Sequence, residues 1–216
     1  MNGLDPAVLV KGFALSFGLI VAIGPQNALV LRQGLRRRHV LAVTSVCFAS
    51  DSFLIAVGVA GAGTVFALNP VLERVMTWVG ITFITGYGLF SFRAAFKPQA
   101  ITPADMEAAA RTSAGRGLKA AVVTALAFTY LNPHVYVDTM VLIGGVSAQY
   151  PAGDKLAFLV GAVCASAVWF YGLGFGARTL APLFEKPAAW RVLDVGVGLI
   201  MLAIAGTLAA GRLMHS

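Results

Sequence analysis

The sequence predicts an all-α integral membrane protein with six transmembrane helices in two inverted three-helix repeats, the first and fourth helices broken at Pro25 and Pro133. Three observations predict it. Of 216 residues, 58% are hydrophobic and 12% charged, at a mean hydropathy of +0.82, more apolar surface than one soluble core of this size can hide. Six apolar stretches reach the roughly 20 residues that a membrane helix needs. Two of them are interrupted deep inside by proline with amide neighbours, Gly24-Pro25-Gln26-Asn27 and Leu131-Asn132-Pro133-His134, half a chain length apart.

The stretches run over 8–31, 40–67, 71–92, 118–146, 156–177 and 192–210. The first follows Asp5 and a lone Lys11 instead of a basic leader and is too long for a cleaved signal, so it is expected to be retained. The third has a short connection before it, Asn69-Pro70, and Glu73-Arg74 at its edge, which leaves a five-span reading open. Arg32, Arg36, Arg37 and Arg38, then Arg93, Lys97, Arg111, Arg116 and Lys119, then Arg178, Lys186 and Arg191 fall in the first, third and fifth connections. The opposite side carries Lys11, Arg74, Lys155 and Arg212. Cytoplasmic loops are the Lys/Arg-rich ones, so both termini are expected outside the cytoplasm.

This placement also explains the net charge of +7 as topology and argues against nucleic-acid binding. The whole chain, 1–216, reads as a single membrane domain: a first repeat over 1–96, a cytoplasmic linker over 97–117 and a second repeat over 118–216. Three spans per half force the halves into opposite orientations, the inverted repeat used by many secondary transporters. Cys47 and Cys164 fall inside apolar runs and are expected to pack as small hydrophobes.

Proline lacks an amide hydrogen and clashes with the preceding turn, so it fits best as the first residue of a new helix. Gly24 and Asn132 then become N-caps. Half-helices starting at Pro25 and Pro133 point free N–H groups and a positive dipole end inward, which suits an anion such as an α-carboxylate. Gln26, Asn27 and Asn132 add amide donors and acceptors for a zwitterion. The competing interpretation is a pair of proline kinks with the amides as interhelical glue.

Asp51 lies roughly 17 Å along a helix from Val40, near the bilayer midplane. Asp138 follows Pro133 on the second half-helix, and His134 is beside the break. A carboxylate at such depth costs several kcal/mol unless paired and marks a functional site by default. These acids could take a guanidinium, an ammonium or a coupling proton. Structural bonds to Ser50, Ser52, Thr139, backbone or an arginine are the alternative, and for His134 an ordinary packed histidine. Metal binding by Asp51, His134 and Asp138 is a further alternative, although their spacing matches no strong metal signature. Asp194, two residues inside the sixth stretch, is expected to be solvated. No G-x-S-x-G, H-E-x-x-H or P-loop is present, so neither an enzyme nor an ATP-driven pump is indicated, and no cofactor is expected. Small residues such as Gly58, Gly61, Gly63, Gly161, Ala165, Gly172, Gly176, Gly196, Gly198 and Gly206 permit close helix approach, static or sliding, and allow a homodimer without requiring one. Trp78, Trp169, Trp190 and Tyr150 read as interface aromatics.

Gly24-Pro25-Gln26-Asn27-Ala28, Gln33-Gly34-Leu35-Arg36-Arg37, Ser50-Asp51 and Leu131-Asn132-Pro133-His134-Val135-Tyr136-Val137-Asp138-Thr139 together resemble the LysE/ArgO family of basic amino-acid exporters. The likeness extends over nearly the whole chain in order and spacing. Related threonine and homoserine exporters carry a Pro-Gly-Pro type motif near the first break, and Gln26-Asn27 sides with the arginine and lysine branch. The resemblance implies export of L-arginine, with L-lysine and toxic analogues such as canavanine, across a bacterial inner membrane. Protons are the implied coupling ion. Gln26, Asn27, Asp51, Asn132, His134, Tyr136 and Asp138 are the implied substrate contacts, with Asp51 and Asp138 the proton-coupling candidates. Export of another amino acid or a divalent metal, and a non-transporting membrane assembly role, are the alternatives.

Overall fold

The computed structural model describes residues 5–21, 24–62, 70–96 and 114–214, and every element among them is helical. Helix α1, Pro6–Ile20, starts on a proline capped by Asp5, whose carboxylate accepts from the Ala7 amide at 2.8 Å. Helix α2, Pro25–Leu35, starts from extended backbone at Gly24. It ends where Arg37 and His39 take left-handed conformations (φ 51° and 52°), which turn the chain into α3, Val40–Val57. A wider π-type turn, Gly58–Ala62, extends α3.

Helix α4 is Pro70–Ala95 and α5 is Ala114–Tyr130. Helix α6, Pro133–Ser147, is wound as a π-helix over Val137–Ile143. Helix α7, Ala152–Gly176, runs into a 3-10 segment, Ala177–Glu185, before α8, Pro187–Met214.

Three segments, Val40–Gly61, Ala152–Leu180 and Ala188–Ala210, are long and apolar enough to cross a membrane. The bent pairs α1–α2, turned by 82°, and α5–α6, turned by 60°, raise the number to five if each pair is one span. The expected linker over 97–117 is shortened by α5, which already begins at Ala114. The rest of that linker, and residues 63–69 with Gly63 among them, lie outside the described residues. The outward faces carry Leu41, Phe53, Leu89, Phe90, Val123, Val168, Val192 and Leu199, all exposed. A multi-pass membrane protein presents such a surface to lipid.

Close backbone approach sets the packing. A Cβ on Gly12 of α1 would overlap the Phe158 carbonyl of α7, and one on Gly161 of α7 would overlap the Leu9 carbonyl of α1. Gly58 and Gly144 bring α3 and α6 together in the same way, and Gly34 sets α2 against Gly174 of α7. On the other side α4 packs along α8, with Gly198 under the Phe92 ring and Ile84, Val197, Met201 and Ala205 buried between them and Ala28. Other glycines of the small-residue runs, Gly172, Gly176, Gly196 and Gly206, meet nothing within 4 Å. Cys47 is buried in the core around Val43 and Phe128, whereas Cys164 is exposed on the outside of the bundle.

Gly161→Ala is expected to cost about 1–3 kcal/mol by forcing α1 off α7. Thermal unfolding in detergent checks it, with Gly172→Ala, which faces open space, expected to unfold near the parent temperature.

Candidate functional site

Where α1 gives way to α2, the final carbonyls of one helix and the first amides of the next have no intrahelical partner. Asn27 resolves one side. Its Nδ2 donates to the Ile20 carbonyl at 2.7 Å, while its Oδ1 accepts from the Trp169 indole of α7 at 3.1 Å. Trp169 is therefore a strut of the break and not the interface aromatic expected of it. At the second break Asn132 caps α6, accepting from the His134 amide at 3.2 Å. The Tyr136 hydroxyl reaches back to the Tyr130 carbonyl of α5 at 2.8 Å.

Both breaks open onto one cavity of about 270 Å³. Its walls are apolar at Leu19, Ile20, Val135, Ile143, Phe170 and Ile204, and polar at Gln26, Asn27, Asp51, Asn132, His134, Asp138 and Thr139, with Gly24 and Pro25 at the edge. The structure thus gathers nearly every residue singled out in the sequence. Two stand apart: Tyr136 is engaged with Tyr130, and Pro133 is buried where Gly80 of α4 comes against its ring.

Gly24 offers no side chain to the first amides of α2, which leaves that helix end open toward the cavity. Gln26 Nε2 is buried without a hydrogen-bond partner. Asp51 is 4% exposed, and its Oδ2 is likewise unpaired. Among the described residues no arginine pairs with it. The Ser166 hydroxyl of α7 stands against Asp51 without closing a hydrogen bond. Asp138 is half-buried one helical turn after His134, and Thr139 spends its hydroxyl on the Val135 carbonyl. Asp51 and Asp138 lie close enough to repel each other when both are charged. Among the described residues no group of three or more His, Cys, Asp or Glu is placed to hold a metal ion.

Asp194 departs from the expectation. It is buried, 8% exposed, and its carboxylate accepts from Arg32 Nη2 at 2.6 Å. Arg32, counted above as a cytoplasmic loop charge, is 8% exposed and also donates to the Tyr87 hydroxyl at 3.0 Å and Ser91 at 3.1 Å. The pair ties α2 to α4 and α8, and beside it Arg36 lies over the Trp190 ring at 5.1 Å. Ser166 went unnoticed in the sequence as well. A hydroxyl in the middle of the fifth apolar stretch was the signal for it.

A chain of several apolar helices around a buried polar cavity with unpaired acids has the construction of a membrane transporter. Comparison places it more narrowly: residues 17–212 match the family described as LysE type translocator, and the chain belongs to it. It is 41% identical to the arginine exporter protein ArgO of Serratia proteamaculans over 204 residues, covering 94% of this chain and 96% of that one. It is 39% identical to ArgO of Yersinia enterocolitica over 203 residues, with the same 94% and 96% coverage. It is 34% identical to the lysine exporter LysE of Corynebacterium diphtheriae over 224 residues, covering 94% and 98%. No solved structure matches the chain. Membership of a translocator family makes the protein a transporter and not an enzyme.

Asn27→Ala strands the Ile20 carbonyl and the Trp169 indole, an expected loss of about 1–3 kcal/mol per stranded group, measured as a lower unfolding temperature with altered tryptophan fluorescence. Asp194→Asn leaves the Arg32 charge buried without a counter-charge, an expected loss of about 3 kcal/mol or more. Replacing both partners by apolar residues, Arg32→Met with Asp194→Leu, should recover part of that loss in the same melting assay.

Proposed function

We propose that this protein exports basic amino acids, L-arginine foremost and L-lysine and canavanine with it, across the bacterial inner membrane in exchange for protons. The observation that carries the proposal is the joining of both helix breaks and both buried acids in one cavity. The end of α2 and Gln26 suit a carboxylate, while Asp51 and Asp138 suit a cation or its replacement by a proton. The names of the relatives, arginine and lysine exporters, point to the same substrates.

Alternating access around this cavity is supported by the pattern of helix contacts. If α1–α4 and α5–α8 are related by an inverted repeat, α4 faces α8 as its own counterpart, and α3 faces α7 likewise; both pairs are in contact. The approach of α2 to α7 at Gly34 then has its counterpart in the approach of α6 to α3 at Gly144. Helix α4, with 26 residues or about 39 Å, is long enough to supply the sixth span. The Lys/Arg distribution favours termini outside the cytoplasm.

An inside-negative potential opposes exit of a cation by about 2.3 kcal/mol per charge per 100 mV. Entry of one proton for each arginine cation cancels that term and adds the pH gradient. In vesicles loaded with labelled arginine, an imposed pH gradient should accelerate efflux through the native chain. The double variant Asp51→Asn with Asp138→Asn should reduce both efflux and arginine counterflow to background. Undiminished counterflow in the double variant would sink the role given to the acids.

A further inference from the structure

We propose that the two acids divide the work of transport: Asp51, buried beside Ser166, is the proton site, and Asp138, beside His134, receives the substrate's cationic group. The division rests on the exporter reading above and goes beyond it by giving each carboxylate one task and by adding Ser166 to the machinery.

The surroundings of the two acids differ in kind. Oδ2 of Asp51 on α3 and Oγ of Ser166 on α7 are buried beside each other with no hydrogen-bond partner. Their residues are 4% and 0% exposed. Buried polar atoms are nearly always paired, so two neighbouring orphans mark a place completed by something else. Ser166 stands behind Asp51, off the cavity wall, and a guanidinium brings only donors. A proton on the carboxylate needs no added volume and converts Oδ2 from acceptor to donor. Ser166, which can donate or accept, can serve either form.

Asp138 is half-buried on the cavity wall, one turn from the exposed His134, so it can be reached by a group entering the cavity. The ionisable groups facing Asp51 are Asp138 of α6 and Cys47, one turn earlier on its own helix. From α7 it is faced by the uncharged Ser166. Repulsion between the acids links the tasks. A cation seated on Asp138 screens it and favours the charged form of Asp51, so substrate entry from the cytoplasm drives proton release there. Protonation of Asp51 from the outer side does the reverse. The carboxylate gains and loses one proton per cycle, and no other bond changes.

The test uses the whole chain in proteoliposomes, with arginine-for-arginine exchange, pH-driven transport and arginine binding measured side by side. Asp51→Asn, which imitates the protonated acid, should lose pH-driven transport while exchange and binding continue at weakened affinity, because exchange needs no proton cycle. Asp138→Asn should lose all three, with binding weakened about thirtyfold or more. Ser166→Ala should keep exchange and move the pH of half-maximal driven transport, and Ser166→Thr, which restores the hydroxyl, should bring it back. Loss of arginine binding in Asp51→Asn, or an unchanged pH profile in Ser166→Ala, would overturn the division. If Asp51→Asn does not fold, the Ser166 pair decides. A native chain that exchanges no arginine would instead overturn the exporter reading itself.

Discussion

A helix broken inside an apolar bundle must find partners for the backbone groups it frees, and much of this structure follows from how it does so. An unpaired backbone group is costly wherever water does not reach it. Asn27 bonds the end of α1 through Ile20 and is held by Trp169, which fixes the break to α7. Asn132 caps α6 and Tyr136 bonds back to Tyr130, fixing the second break within its own helix pair. With the breaks held this way, α2 can lie inside the bundle, while α6 keeps an exposed face at Val137 and Leu142. Their starts can face a cavity and not the core of a continuous helix.

Buried charge falls into two kinds here. Arg32 and Asp194 are paired at 2.6 Å, with Tyr87 and Ser91 completing the guanidinium's contacts, so the charges cancel within a dry contact. Among the described residues neither Asp51 nor Asp138 forms an ion pair. A paired charge holds helices together, whereas a buried carboxylate without an ion-pair partner is costly and marks a functional site by default. The protein applies the first kind where α2, α4 and α8 meet and the second where the cavity lies.

What could be read in the sequence follows the range of the interaction concerned. Proline at a helix start and an acid in an apolar run are local signals, so Pro25, Pro133, Asp51 and Asp138 were legible. Apolar length placed the start of α3 and both ends of α7 and α8 to within a few residues. The role of Trp169 depends on a partner 142 residues away and left no local trace. Asp194 was misjudged because nearness to a predicted span end implied solvent, whereas α8 begins earlier, at Pro187, and Arg32 folds inward to meet it. Asn27 was legible as a polar residue at the break but not as a backbone partner, since an amide serves substrate and structure with the same atoms.

The packing also gives the proposed alternation a mechanical basis. Glycines bring α1 and α7 so close that neither Gly12 nor Gly161 has room for a side chain, and Gly198 of α8 takes the Phe92 ring of α4. The proposed alternation can therefore treat each pair as a unit. The cavity takes walls from both, Leu19, Ile20 and Phe170 from the first and Ile204 from the second. A tilt of one unit against the other would change the cavity without opening either glycine contact. Helix α2 belongs to both, bound to α7 through Asn27 and Gly34 and to α4 and α8 through Arg32. Its first turn, carrying Gln26, therefore sits where any such tilt must reach the cavity.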